Sequence, residues 1–274
     1  MPSFRRLIAR AALAGVATLA LSSSAFAQLA RPLDAAPTAP DFMPRFDWKM
    51  SAAFLNHPDS RFDWDTHWAG DFDLFSYKGG RTTFLADYQA LLGSGFRPFD
   101  PYQSNYLLEA SSSYFVGKVE VAGVLSHISR HLGDRPKRVA VAENSLGPRF
   151  LRRFGDTGGD SLDVRVDLRK VIARAYDDYT WIEQVELTAR RQLTQHTAFY
   201  ARGFGELIQV DPLYAGRSKT QRGGRIEAGV KLKGSNITGG AMELFAGGEQ
   251  MIDADPLDRL PRKWAYIGFR LLGH

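Results

Sequence analysis

The sequence predicts an all-β fold: an antiparallel, up-and-down transmembrane β-barrel of about twelve strands, with ten as the alternative count. Three observations carry this. From residue 46 onward, apolar and polar residues alternate in segments of about ten residues. The connections between those segments are short and long by turns, as hairpins crossing a membrane require. An export signal precedes them, and no later run of about eighteen apolar residues offers a membrane helix.

The amino-terminal end comes first. Arg5, Arg6 and Arg10 make a positive region, residues 11–21 are apolar, and Ala25-Phe26-Ala27 is a small-x-small cleavage site before Gln28. Residues 1–27 are therefore expected to be a secretory signal peptide, because the apolar run is too short for a core of roughly 30 Å. Residues 28–45, rich in Pro and Ala, read as a flexible lead-in, and 46–274 as a single barrel domain. Losing three arginines with the signal lowers the formal charge from +5 to about +2, so basicity gives no reason to expect a nucleic-acid partner. The chain has no cysteine, which excludes disulfides, thiol catalysis and Cys-type zinc sites.

The strands follow in order. FDWKMSAAFL (46–55), HWAGDFDLFSYK (67–78) and RTTFLADYQALL (81–92) alternate, a fainter segment covers 104–115, and KVEVAGVLSHISRH (118–131) is the fifth. A sixth, also faint, covers 147–154. DSLDVRVDLRKVIA (160–173) separates its faces cleanly, with Leu162, Val164, Val166 and Leu168 opposite Asp163, Arg165, Asp167 and Arg169. YTWIEQVELTARRQ (179–192) is mixed; HTAFYARGFGELIQ (196–209), RIEAGVKLKG (225–234) and GGAMELFAGGEQ (239–250) complete the wall before RKWAYIGFRLL (262–272). That last strand resembles the aromatic-rich terminal signal by which outer-membrane barrels are recognised for assembly, although the chain ends Leu272-Gly273-His274.

Short turns fall at 78–80, 116–118, 155–160, 194–196 and 233–238, and long connections at 56–66, 92–104, 132–147, 209–224 and 250–262. Tight periplasmic turns and longer outer loops explain the asymmetry, with RAYDDYT (174–180) the one short link on the outer side. Charged faces suit a polar lumen. Trp48, Trp64, Trp68, Tyr77, Tyr102, Tyr106, Tyr176, Tyr179, Trp181, Trp264 and Tyr266, near strand ends, suit interfacial girdles. A soluble β-sandwich or lipocalin-like barrel would use the same alternation for a core. Leaving so long a sheet open would expose hydrophobic edges, which favours closure.

The stretch VLSHISRHLGD (124–134) holds the candidate chemistry. His127, Ser129 and His131 share a strand face with Val119, Val121 and Leu125, so that face should meet lipid near the outer end of strand five. A serine nucleophile needs a base and a group that orients the base. His127 can serve Ser129, and Asn144, Glu143 or Asp134 can stand behind the histidine. The competing reading is that His and Ser mark the headgroup level and Leu-Gly-Asp a turn. His127 and His131, four apart on a strand and about 13 Å separated, make no metal pair.

Elsewhere, His57, Asp59, Asp63, Asp65 and His67, and Asp253, Asp255 and Asp258, could hold a divalent cation through oxygen ligands, but turn chemistry explains them better. Arg135, Lys137, Arg138, Arg149, Arg152 and Arg153 could meet lipopolysaccharide phosphates or form a lumen-facing charge run. Gly-x-Ser-x-Gly and phosphate-loop motifs are absent.

The run Gly123-Val-Leu-Ser-His127-Ile-Ser129-Arg-His131-Leu132-Gly133-Asp134 is similar to the Gly-x-x-His-x-Ser-x-His-Leu-Gly-Asp signature of a family of Gram-negative envelope proteins, a domain of unknown function, with one extra residue between Gly and His. That resemblance implies an outer-membrane barrel and no particular activity. A more local one is to outer-membrane phospholipase A and lipid A 3-O-deacylase. It implies His127 as base, Ser129 as nucleophile and Asn144 or Glu143 as the orienting group, with calcium a cofactor such a hydrolase can use.

Three functions are therefore expected in competition. The first is a structural or narrow-pore barrel of the Gram-negative outer membrane. The second is a surface serine hydrolase of phospholipid or lipopolysaccharide acyl esters, and the third a soluble exported β-barrel that binds a ligand. For the membrane readings the expected partners are outer-membrane lipids, lipopolysaccharide and the barrel-assembly machinery, with no nucleic acid and the oligomeric state left open.

Overall fold

The computed structural model describes residues 30–133, 139–156, 158–211, 217–235 and 240–273. Twelve strands run β1 Asp41–Asn56, β2 Trp64–Tyr77, β3 Gly80–Gly93, β4 Asp100–Val116, β5 Val119–Leu132, β6 Val141–Gly155, β7 Ser161–Ala175, β8 Tyr179–Gln192, β9 Thr197–Val210, β10 Thr220–Lys233, β11 Ala241–Met251 and β12 Arg262–Gly273. Every strand pairs antiparallel with its sequence neighbours, and β1 pairs β12 from Trp48↔Gly273 to Asn56↔Ala265, so the sheet is a closed barrel. Closure leaves no open edge.

Several strands begin earlier than their pattern announces, β4 at Asp100 rather than 104 and β10 at Thr220 rather than 225 among them. β1 begins at Asp41 rather than 46, and pairs β2 from Asp41↔Ser76 across a bulge between Phe42 and Arg45. β6 begins at Val141 rather than 147. Its first six residues carry Asn144 on the outward face, and Gly147-Pro148 follows them, which breaks apolar alternation without breaking the ladder to β5.

The two faces differ as the sequence requires. Along β12, Trp264, Tyr266 and Arg270 point inward and are buried, whereas Ile267, Phe269 and Leu271 point outward and are exposed. At the ends joined by long loops, Trp68, Tyr88, Tyr106 and His131 form a chain of ring contacts across β2 to β5, with centroids 5.7, 5.1 and 5.4 Å apart. This is an outward aromatic girdle. Tyr102, Tyr179, Trp264 and Tyr266 do not join it; they face the lumen. Proximity to a strand end does not say which face a ring occupies.

The lumen wall is a lattice of ion pairs between strands close in order. Arg149 of β6 reaches Glu109 of β4 at 2.7 Å and Asp167 of β7 at 2.6 Å, and Arg169 adds a 2.7 Å contact to Glu109. Lys49 and His67 share Asp87, while Arg270 bridges Glu227 and Glu243. These buried charges are paired, as burial demands.

Residues 30–40 do not hang free. Ala30, 7 % exposed, packs in the lumen against Leu85, Leu107 and Ile128. Arg81 donates to the Arg31 carbonyl at 2.7 Å, Arg153 pairs with Asp34 at 2.8 Å, and the Gly79 amide donates to the Pro37 carbonyl at 2.8 Å. The segment read as a flexible lead-in is a strap that enters the bore from the end with the short turns. Its Pro-Ala composition made it look like a linker, and only the groups it meets show otherwise.

Candidate functional site

His127 and Asn144 are direct partners across the β5–β6 ladder, so both side chains leave the outward face at one height. The Nδ1 of His127 lies 2.8 Å from the Oδ1 of Asn144. An amide oxygen only accepts, so Nδ1 donates to it, and Nε2 is the ring nitrogen left without that contact. The pair sits among outward apolar residues, with Leu108 opposite His127 on β4 and Leu125 and Leu146 one step nearer the turn end. Satisfying two polar groups against each other is what an apolar environment favours.

Ser129 follows on the same face, about 7 Å farther along the strand by the strand repeat. It lies between Tyr106 of β4 and Ala142 of β6, level with the aromatic girdle. No hydrogen bond joins it to His127 among the described residues. Glu143 is placed elsewhere. It points into the lumen, 3 % exposed, so it is not behind the imidazole; the side chain bonded to the ring is Asn144. One residue along a strand reverses the face, and this separates two candidates the sequence left together. Asp134, Arg135, Lys137 and Arg138 lie outside the described residues. The arrangement offers an imidazole oriented by Asn144 on the same face as a hydroxyl-bearing residue. Those are the parts of a general base and a nucleophile, standing apart.

A second constellation closes the loop end of the lumen. Phe62, fully buried, packs between Tyr102 and Trp264 at 5.5 and 5.7 Å. Arg61 forks Asp59 and reaches Asp255 at 2.7 Å, and the Tyr102 hydroxyl also donates to Asp255. Asp253 accepts from the Tyr179 hydroxyl at 2.7 Å and pairs with Arg217 at 2.9 Å, while Asp178 takes Arg217 and Arg259 at 3.0 and 3.1 Å. The loops 57–63, 176–178 and 252–261 are thus latched over the mouth. Beside Arg61, the Asp59 carboxyl is held below its ordinary range. Asp177, half-buried near Asp253 and Asp178 and only partly offset by Arg130, is pushed up to about 6.

The acidic clusters are spent on these contacts. Asp253, Asp255 and Asp258 meet arginines, and the first cluster divides between Asp59 in the loop and a buried Asp65–His67–Asp87 chain in the lumen. Among the described residues, no group of three or more His, Asp or Glu side chains is arranged to hold a metal ion. Arg149 and Arg153 belong to the lumen wall, and Arg152 stacks on Phe154 at 4.3 Å.

A closed antiparallel barrel of twelve hydrogen-bonded strands, apolar outside and charged within, defines the class: this is the outer-membrane β-barrel fold. No protein-family model matches the sequence, and no curated protein matches it. Among solved structures it is similar to the outer membrane protein Omp33 of Acinetobacter baumannii, with 9% identity over 87% of this chain and 100% of that one, at a TM-score of 0.40. It is also similar to LpxR of Salmonella typhimurium, at 8% identity over 83% and 99% of the two chains and a TM-score of 0.44. The KdgM porin gives 9% identity over 82% and 97%, with a TM-score of 0.40. No residue role transfers at such distances.

Proposed function

We propose that the protein is an integral barrel of the Gram-negative outer membrane that is shut to bulk solute flow, a structural barrel rather than an open pore. The observation that carries this reading is the double obstruction of the bore, by the strap at one end and by the latched loops at the other. The amino-terminal export signal and the outward apolar belt support the location, and the belt argues against a soluble binding protein. The short turns then lie in the periplasm and the long loops outside, with lipid, lipopolysaccharide and the assembly machinery as partners. The detergent-extracted protein should fractionate with the outer membrane, shift its gel migration on heating, and leave planar bilayers without conductance. Steady ion current from the wild-type protein would overturn the closed state.

The hydrogen bond from His127 to Asn144 favours a second reading, a surface acyl-ester hydrolase. There Ser129 would attack the ester carbonyl as His127 Nε2 takes its proton and gives it to the alcohol that leaves when the ester C–O bond breaks. Water, activated by the same imidazole, would then free the fatty acid from Ser129, and Asn144 would hold the ring. Any calcium requirement belongs to this reading alone. Ser129→Ala and His127→Ala should each abolish fatty-acid release from mixed phospholipid or lipopolysaccharide micelles. No release by the wild type, with or without calcium, removes the hydrolase.

A further inference from the structure

At the turn end of the barrel, beside the strap, the lumen holds a cavity of about 50 Å³ with a mainly basic wall. Arg31 of the strap, Lys49, Arg190, Arg202, Lys231 and Arg270 line it, against only Asp47 and Glu243 as acids. We propose that this cavity binds a small oxyanion, a phosphate or carboxylate group entering from the turn end and held by Arg190 and Lys231.

The charges around the cavity do not balance locally. Arg190 has no carboxylate within ion-pair distance among the described residues. Asp163, which acts on it electrostatically, is already forked by Arg153 at 2.6 and 2.7 Å. Lys231 is only 6 % exposed, yet its Nζ stands 3.9 Å from Glu243, beyond hydrogen-bond reach. The other oxygen of Glu243 is taken by Arg270 at 2.6 Å. Asp47 is divided between Arg31 and Arg45, and Glu227 among Arg202, Arg225 and Arg270. The acids are shared out, and Arg190, with no ion pair among the described residues, and Lys231, with only the 3.9 Å one, line the cavity. Arg81, by contrast, is forked by Glu120 at 2.7 and 2.9 Å.

An added oxyanion supplies what the wall lacks. A guanidinium presents a planar fork that matches phosphate and carboxylate, and an ammonium adds a point charge. Concentrated like charge in a low-dielectric site is relieved by a bound counter-charge. The size is suitable: one ordered water needs only ~10–15 Å³ of such space, so about 50 Å³ admits a single small anion and excludes a multi-ring solute. Access also fits, because Arg190 and Lys231 lie two residues from the turn ends of β8 and β10, and Leu272 and Gly273 at the end of β12 complete the wall.

Calorimetric titration of the folded, detergent-solubilised barrel tests this, with inorganic phosphate and malonate as separate probes. One or both should bind saturably, and which one binds identifies the chemistry. Arg190→Gln and Lys231→Gln should each weaken binding at least tenfold. Arg190→Lys, which keeps the charge and loses the fork, should fall between, and Arg191→Gln on the outward face should change nothing. Heat-modifiable migration establishes that each variant is folded, so loss of binding is separable from loss of the barrel. No saturable binding of either probe to the wild type, or equal binding by the folded variants, overturns the site.

Discussion

The residue with the plainest pH signature is Asp177. Its carboxyl titrates at about 6 because burial and the charges of Asp178 and Asp253 outweigh the attraction of Arg130. A folded-state value above the ordinary aspartate value favours the protonated form, so its stabilising contribution is complete in acid and is lost as pH rises through about 6. The latch over the loop end should therefore be tighter at pH 5 than at pH 7.5. The shift corresponds to ~1–2 kcal/mol once solvent screening of a half-buried group is allowed for. Hydrogen exchange of residues 252–261, corrected for intrinsic rate, should slow accordingly at the lower pH. Asp177→Asn should flatten that dependence and leave the loop protected at both values; an unchanged wild-type profile would remove Asp177 as the cause. At the same scale, Asn144→Ala takes away the acceptor that fixes the His127 ring. If the surface is hydrolytic, fatty-acid release should fall by about 10²-fold or more, the order expected when positioned proton transfer is lost. An unchanged rate would leave Asn144 only a structural partner of the imidazole.

At the level of the elements, the closing seam is the most demanding contact. Gly268 of β12 faces the lumen, and a methyl group there would press into the Ala52 carbonyl oxygen and lie 2.8 Å from the Ala53 Cα. Backbone cannot step aside as a flexible side chain can. Gly268→Ala should thus strain the β1–β12 ladder by ~1–3 kcal/mol and lower the temperature of the heat-modifiable transition. Gly123→Ala, on the outward face with nothing within 4 Å of the added carbon, is the matched control and should leave it unchanged. The strands themselves were legible because alternation is local: Asp163, Arg165, Asp167 and Arg169 declare an inward face whatever they meet. The pairings were not. Nothing near Glu109 in sequence announces Arg149 and Arg169, and nothing in LARPLDAAPTAP announces Leu85 and Ile128. His127 and Asn144 became legible as a pair only with the β5–β6 register, which a faint sixth strand hid. Identity and face are written along the chain, whereas partners depend on closure.

On the scale of the whole molecule, twelve strands enclose more room than the eight whose interior side chains alone can fill. Most ion pairs of the wall join strands near one another in order and line the bore, with Arg225 of β10 reaching four strands on to Asp65 of β2 at 3.7 Å. What crosses it is the strap at the turn end and the latch at the loop end. Two obstructions in series behave like two closed valves, and removing one leaves the path shut. A variant that lacks the strap, residues 30–40, should therefore remain silent in a planar bilayer. So should the triple Arg61→Ala, Arg217→Ala and Arg259→Ala variant, which removes the arginines fastened to Asp255, Asp253 and Asp178 while the strap stays anchored through Asp34 and Arg153. Only the combination should conduct. Because the exposed wall would then include Arg190, Lys231 and Arg202, the current should favour anions, and its reversal potential in a salt gradient should show it. Conduction by the strapless variant alone would mean that the latch is no seal, and silence of the combined variant would mean that the wall side chains close the bore by themselves.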